Sequence, residues 1–458
     1  MASDPTIPLY DASGNPYSEF SSPTGIPVEH PLIIAAEFSD KRNNTNVFTN
    51  NYLQYELAPG LVFKSSVGVN YSNNVTRLWK SSKVGLATSR TGAATAGAFE
   101  IKSLNWLNEN TLNYRHKFGE RHDLDVLAGF TAQKNTDEVL QAGASDFPTD
   151  DVHYLAAGAV TSGTNYRSEW SMLSWLARVN YTLAGKYLFT GTIRQDGSSR
   201  FGAKNRWGMF PSFSAAYRLS DEAFMRGIPV VSDLKLRASY GISGNNLIPN
   251  YASQGLLGIS RNVSNGQVVS GVVPSSLAND VLTWEQSVQT NLGLDLSLFQ
   301  NRLSFTFDAY RAHKKNLLLN VILPAASGFS SSLQNIGEVE NKGLELTINS
   351  QNIAKGAFQW NTDFNISWNR NKVLALNSAT ARLQTSDYQV AQVGYPISGF
   401  RLLNILGVFK TQEEVNNNPK QHPRVQPGDY RYQDADGNGT ITSADRTIVG
   451  LSLIHISQ

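Results

Sequence analysis

Apolar and polar residues alternate along most of this chain. From Leu173 to Leu183 the odd positions hold Leu173, Trp175, Ala177, Val179, Tyr181 and Leu183, with Ser174, Arg178, Asn180 and Thr182 between them. After a turn at Ala184-Gly185-Lys186, Tyr187, Phe189 and Ile193 alternate with Thr190, Thr192, Arg194 and Asp196. A period of two gives a strand two unlike faces, so this segment predicts a hairpin.

The unit recurs. Leu234, Leu236, Ala238 and Tyr240 alternate with Lys235, Arg237 and Ser239. Leu292, Leu294, Leu296 and Leu298 alternate with Asn291, Asp295 and Ser297. A turn at Gln300-Asn301 leads to Leu303, Phe305 and Phe307, set against Ser304, Thr306 and Asp308. Leu344, Leu346 and Ile348 lead through a turn to Phe358, Trp360, Phe364 and Ile366; Phe63, Val67, Val69, Leu124, Val126 and Phe130 behave alike. The pattern predicts roughly a dozen or more strands, each about long enough to cross a bilayer at a tilt. Helical patterning is confined to Asp221–Met225 and Thr411–Val415, each a short turn with an acidic start. Long polar stretches at 81–98, 142–165, 246–282 and 377–398 contrast with the short turns elsewhere.

Alternation does not say which face is buried. In a soluble β-sandwich the apolar face is the core; in a large barrel it meets lipid and the polar face lines a wet lumen. Tyr187, Trp207, Tyr217, Tyr240, Trp284 and Trp368, near strand ends, are candidates for interfacial girdles.

Composition leans towards the barrel. Charged residues make up 17% of the 458 and aromatics 10%, where soluble domains carry about 25% charge. The formal charge of +2 gives no basic field for nucleic acid. With no Cys, disulfides, thiolate zinc sites and cysteine catalysis are excluded. No apolar run reaches the ~18 residues of a spanning helix, so a membrane role requires strands.

Several segments carry specific motifs in a fixed order. They are Arg194-Gln-Asp-Gly-Ser-Ser-Arg-Phe-Gly202, Asn205-Arg-Trp-Gly-Met-Phe-Pro-Ser-Phe-Ser214 and Leu219-Ser-Asp-Glu-Ala-Phe-Met225. Leu234 to Asn245 follows, then Leu282-Thr-Trp-Glu-Gln286 with Asn291-Leu-Gly-Leu-Asp295, and Leu323-Pro324 with Ser327-Gly-Phe329 before Asn335 to Glu345. In this order, over most of residues 31 to 450, these segments resemble the SusC/RagA family of TonB-linked outer-membrane transporters.

The resemblance implies an all-β fold, a partial antiparallel transmembrane β-barrel with long loops on one side and short turns on the other. Residues 1–45 would be a post-plug segment and first loop, and 46–450 the barrel. Residues 451–458 resemble a translated sequencing adapter and are expected to be non-native. The signal, plug and final strands of the family are expected to lie outside this chain, and an open-edged part of a barrel is expected to aggregate rather than conduct. Asp196-Gly197 would be a strand exit, and Gly343 a tight bend where a strand enters.

The implied function is import of a glycan, oligosaccharide or peptide across the outer membrane of a Bacteroidetes-like cell. The implied partners are a SusD-like surface lipoprotein, the TonB–ExbB–ExbD complex, the substrate and outer-membrane lipid, with no nucleic acid. Loop tyrosines Tyr154, Tyr166 and Tyr251 are candidates for stacking on sugars. The alternatives are a surface β-sandwich adhesin or carbohydrate-binding module, a carbohydrate-active enzyme and a passive porin.

Transport needs no cofactor and no covalent chemistry. The chain carries no H-E-x-x-H, G-x-S-x-G, P-loop or dinucleotide motif, and it reads as a non-enzyme. Asp295, Asp308 and Glu345 sit on strand faces, where charges in a wet lumen are expected rather than a glycosidase pair. One motif has metal chemistry. Asp434, Asp436, Asn438, Thr440 and Asp445 take positions 1, 3, 5, 7 and 12 of a calcium loop, with Gly439 at 6. Asp445 stands where Glu is usual, and a shorter arm reaches less well.

Overall fold

The computed structural model describes residues 10, 12–14, 31–84, 93–264, 266–354, 356–378 and 381–451; the tail beyond 451 lies outside them. A short helix α1 (Pro31–Glu37) leads into β1 (Phe38–Ala58), so the 45/46 boundary expected from sequence falls inside a strand. Then come β2 (Leu61–Lys80), β3 (Thr95–Phe118), β4 (His122–Ser145) and β5 (Ala159–Leu183). Next are β6 (Tyr187–Ser198), β7 (Trp207–Arg218), β8 (Val231–Asn245), β9 (Leu257–Ser264) and β10 (Gln267–Pro274). The long strands end with β11 (Glu285–Leu298), β12 (Leu303–Ile322), β13 (Ser331–Ile353) and β14 (Trp360–Ala375).

These strands build one 12-stranded sheet in the order β1 to β8, then β11 to β14, with β1 and β14 at its edges. The chain divides into two compact units. One comprises Met1–Asn113, Ala128–Trp175 and Gly197–Ser199; the other comprises Tyr114–Leu127, Leu176–Asp196 and Arg200–Gln458.

In the second unit the register shows which way each face points. Leu234, Leu296, Phe305, Ile348 and Phe364 lie side by side across β8, β11, β12, β13 and β14. Beside them run Leu236–Leu294–Phe307–Leu346–Ile366 and Ala238–Leu292–Ala309–Leu344–Trp368. None of these residues is buried: most are half-exposed, and Leu292, Ile366 and Phe364 are exposed by 59%, 56% and 49%, the last two on the edge strand β14. A sandwich would bury them against a second sheet at several kcal/mol per row. Exposed rows of this extent belong to a lipid-facing wall. The opposite face carries Lys235, Arg237, Asp295, Asp308 and Glu345. In the first unit the same exposure holds for Trp175 and Leu173 on β5, where Phe130 packs on Trp175 with ring centroids 4.6 Å apart.

The strands are longer than expected. Those of the large sheet run from 12 residues in β6 to 25 in β5, against the 9–11 that a bilayer requires. The β12–β13 ladder continues beyond the apolar rows, from Arg311↔Lys342 to Ile322↔Ser331, with a bulge near Asn316. Turns at one end are tight. Phe299, Gln300 and Asn301 all hold positive φ (54°, 58° and 65°), as do Ala184 and Gly185. At the other end the connections are long and structured. The 246–282 stretch holds the β9–β10 hairpin, and 377–398 holds β15 (Arg382–Ser386) and β16 (Gln389–Gln392). The 142–165 stretch is partly strand, because β4 reaches Ser145 and β5 starts at Ala159.

Beyond β14 the chain leaves the large sheet. It forms β17 (Gly399–Leu402), β18 (Ile405–Val408), helix α2 (Gln412–Asn417), β19 (Tyr430–Tyr432) and β20 (Thr447–Gly450). Small cores sit at the long-loop end. Val339, Val373 and Ala391 pack with Leu317, Leu376 and Leu383, fastening this region to β12–β14. The short helical turns appear as expected: Thr411 caps α2 by accepting from the Glu414 N–H, and two 3-10 turns span Leu219–Asp221 and Ala223–Gly227.

Candidate functional site

The inner face of β8, β11 and β12 is organised by one cation. Arg237 donates from Nε and Nη2 to the two oxygens of Asp295, both at 2.9 Å, and reaches both oxygens of Asp308 at 3.1 Å. Lys235 stands 3.5 Å from Asp295. Register explains the geometry: Arg237, Gly293 and Asp308 lie in one row, so the guanidinium crosses β11 over a residue with no side chain. A Cβ on Gly293 would stand 2.5 Å from the guanidinium carbon. The pair Asp295 and Asp308 is therefore held by a shared arginine and presents no acid and base across a gap.

Along the same face runs a polar trough. One cavity of about 410 Å³ is lined by Thr190, Ser212, Ser239, Ser243 and Gln289 with Phe213, Tyr240 and Ile242 at its sides, and a neighbour of about 360 Å³ adds Arg237 and Asn291 beside Leu188. Hydroxyls and amides there offer both hydrogen-bond donors and acceptors. In the first unit an analogous net joins Ser103, Asn105, Gln133, Asn135 and Asp137, with the Ser103 hydroxyl donating to Asp137 at 2.6 Å.

The family-like motifs meet in the second unit as bracing for the long connections. Phe201 and Trp284 are buried with ring centroids 5.2 Å apart, and Phe210 lies edge-on to Trp284 at 5.3 Å. Trp284 donates its indole N–H to the Arg206 carbonyl at 3.1 Å. The expectation of a girdle position for Trp284 is thus wrong, because loop packing takes it out of the surface. Asn335 accepts from the Thr283 N–H at 2.9 Å and donates to the Thr283 and Asn316 carbonyls at 2.8 Å. Trp207, Tyr240 and Trp368 are exposed, by 45%, 45% and 49%, as a girdle requires. Tyr187 and Tyr217 stack with centroids 4.8 Å apart, and Tyr187 donates to Glu222.

Two motif expectations change. Asp196-Gly197 remains inside β6, with Asp196 buried and paired to Arg194 at 2.7 Å. Gly343 is internal to β13 rather than at a bend; Tyr310 lies over it, and a Cβ would stand 2.8 Å from the ring. Of the candidate sugar-stacking tyrosines, Tyr154 is 69% exposed and borders a cavity of about 750 Å³ beside Trp79 and His153. Tyr166 is exposed on β5, and Tyr251, in the other unit, holds a φ of 66°.

The acidic loop closes on itself. One carboxylate oxygen from each of Asp434, Asp436 and Asp445 lies within 4.8 Å of the others. Asp445 is fully buried and accepts from the backbone N–H groups of Thr442 (2.7 Å), Ala435 (2.9 Å) and Asp436 (3.4 Å). The Thr442 N–H first, then the other two, hold its carboxyl below the ordinary range. Asp434 accepts from the Gly437 and Gly439 N–H groups at 2.8 Å, and Asn438 from the Thr440 N–H at 2.8 Å. Gly437 and Gly439 supply the positive φ the loop needs. The donor set is all oxygen, which suits a hard cation.

Comparison with known proteins agrees with the fold. A TonB-dependent receptor P3 of Formosa agariphila is 37% identical over 97% of this chain and 45% of its own length. The TonB-dependent receptor SusC of Bacteroides thetaiotaomicron is 26% identical over 98% of this chain and 46% of its own. A structure of the RagAB peptide transporter superposes with a TM-score of 0.83 at 24% identity, over 97% of this chain and 48% of that one. The chain thus spans about half the length of the curated relatives it matches. The profile of the family described as TonB dependent receptor-like, beta-barrel, matches residues 5–455, so this chain belongs to that family.

Proposed function

We propose that the protein containing this chain is a TonB-driven importer of the outer membrane, taking up an oligosaccharide or peptide together with a SusD-like surface lipoprotein. The observation that carries the reading is the two-sided sheet: exposed apolar rows on one face and the Arg237–Asp295–Asp308 cluster with its polar trough on the other. A wall of that kind separates lipid from an aqueous path. Movement along the path requires differential binding and a driven conformational change. The relative named TonB-dependent receptor SusC and the fold shared with the RagAB peptide transporter support the import reading. Deleting the gene should abolish uptake of one labelled class, oligosaccharide or peptide, and pull-down from solubilised membranes should recover a lipoprotein. Unchanged uptake of both classes would refute the reading.

We also propose that the Asp434–Asp445 loop binds calcium as a brace rather than as part of the transport path. The convergence of three carboxylates, one of them fully buried, supports it. Asp434, Asp436 and Asp445 would hold the ion. Calcium should raise the melting temperature of the protein, and Asp434→Asn with Asp436→Asn should remove that rise.

A further inference from the structure

Directly beyond the three apolar rows, the outer face changes abruptly. The next register row on β12, β13 and β14 is Arg311↔Lys342↔Arg370, three cations side by side. The row after it is His313↔Glu340↔Lys372. Like charges directly opposite one another destabilise a sheet, so an unbroken cationic row calls for a compensating anion. The protein supplies part of it: Glu340 pairs with Arg311 at 2.6 Å, and Glu338 with His313 at 2.9 Å. Among the described residues, no carboxylate ion-pairs with Lys342, Arg370 or Lys372, and all three are exposed, Lys342 between two paired strands and the other two on the edge strand β14. Arg370 instead lies over the ring of Trp368, 5.2 Å from its centroid, which fixes the guanidinium at the upper edge of the apolar band.

We propose that Lys342, Arg370 and Lys372 form a binding site for the phosphorylated head group of an outer-leaflet lipid. Its acyl chains lie along Leu344, Leu346, Ile366 and Phe364. The order along the strands is the order within such a lipid: apolar rows, then the aromatic edge at Trp368, then cations at head-group depth. Arg370 offers a planar fork to phosphate oxygens and the two lysines offer point charges. Charge complementarity selects an anionic head group over a neutral one. The apolar rows running straight into the cations select a lipid over a soluble anion.

The proposal rests on the lipid-facing reading of this surface, and the test separates the two. The membrane-extracted protein in detergent would be examined by native mass spectrometry with diphosphorylated lipid A, dephosphorylated lipid A and phosphatidylcholine as probes. Wild type should retain the diphosphorylated lipid about tenfold better than the dephosphorylated one. Lys342→Gln/Arg370→Gln should lose that preference while keeping the wild-type heat-modifiable gel shift. Lys342→Arg/Arg370→Lys, which keeps the charge and the fold, should retain it. Equal retention of phosphorylated and dephosphorylated lipid by wild type, or an unchanged preference in the Gln variant, would overturn the site alone. A wild type that stays soluble and monodisperse without detergent would overturn the lipid-facing reading instead.

Discussion

Arg237 reaches Asp308 only because Gly293 lies between them with no side chain in the way. Gly293→Ala should therefore act like an electrostatic mutation. It should displace the guanidinium from Asp308 and cost about 1–3 kcal/mol, the range for a charge-assisted hydrogen bond left unmade. The face is wet, so the lower end is expected. Arg237→Ala, which also strips Asp295 of its partner, should cost more, and the double variant should be little worse than Arg237→Ala alone, since the glycine substitution acts through that guanidinium. Urea unfolding in detergent checks the cycle; fully additive losses would show that the glycine serves another purpose.

The two faces of β14 should respond oppositely to charge. Ile366 stands in an apolar row, 56% exposed, while Asn365 points to the polar side. Ile366→Arg should lower folded yield in membranes by about 2–4 kcal/mol of insertion energy, whereas Asn365→Arg should be nearly neutral. The fraction that is heat-modifiable on gels reports the difference.

Asn335 grips both main-chain groups of Thr283 and the Asn316 carbonyl. Asn335→Asp turns a donor pair into a carboxylate facing two carbonyl oxygens. Loosening of the 246–282 connection should follow, seen as faster proteolysis within β9–β10, with a cost of about 1–3 kcal/mol. Asn335→Ala should fall short of this, because it leaves unmade bonds without adding repulsion.

The acidic loop carries a pH signature. The Asp445 carboxyl is held below its ordinary 3.8 by the Thr442, Ala435 and Asp436 N–H groups. A depressed carboxylate pKa gives a contribution that is complete above the unfolded value and is lost as pH falls through the lower folded value. Loop protection from proteolysis should hold at pH 5 to 7 and fail progressively below about pH 4. Asp445→Asn should flatten that dependence. Retained steepness would assign it to groups other than Asp445.

Much of the wall was legible in the sequence, because a period of two needs only local reading. Strands around Leu173, Leu234, Leu292 and Leu344 stand where the alternation put them, as does the Gln300-Asn301 turn. Whatever depends on distant partners was not legible. Trp284 looks like a girdle residue until Phe201 and Phe210 close over it. Gly343 looks like a bend until register places Tyr310 on top of it. The bridging by Arg237 needed the pairing of three strands, since its residues are up to 71 positions apart. Strand length also escaped the reading, because polar residues past the lipid edge resemble loop until they pair.

That extra pairing sets a distance. From Leu344 to Ser331, β13 stays laddered to β12 while climbing away from the last apolar row. At about 3.3 Å per residue and a tilt near 40°, the tip stands roughly 30 Å clear of the hydrocarbon. Hydrogen-bonded rungs hold that height, where a slack loop would let it fluctuate. Any lid tethered to the membrane by its own acyl anchor must therefore carry a stalk long enough to climb it.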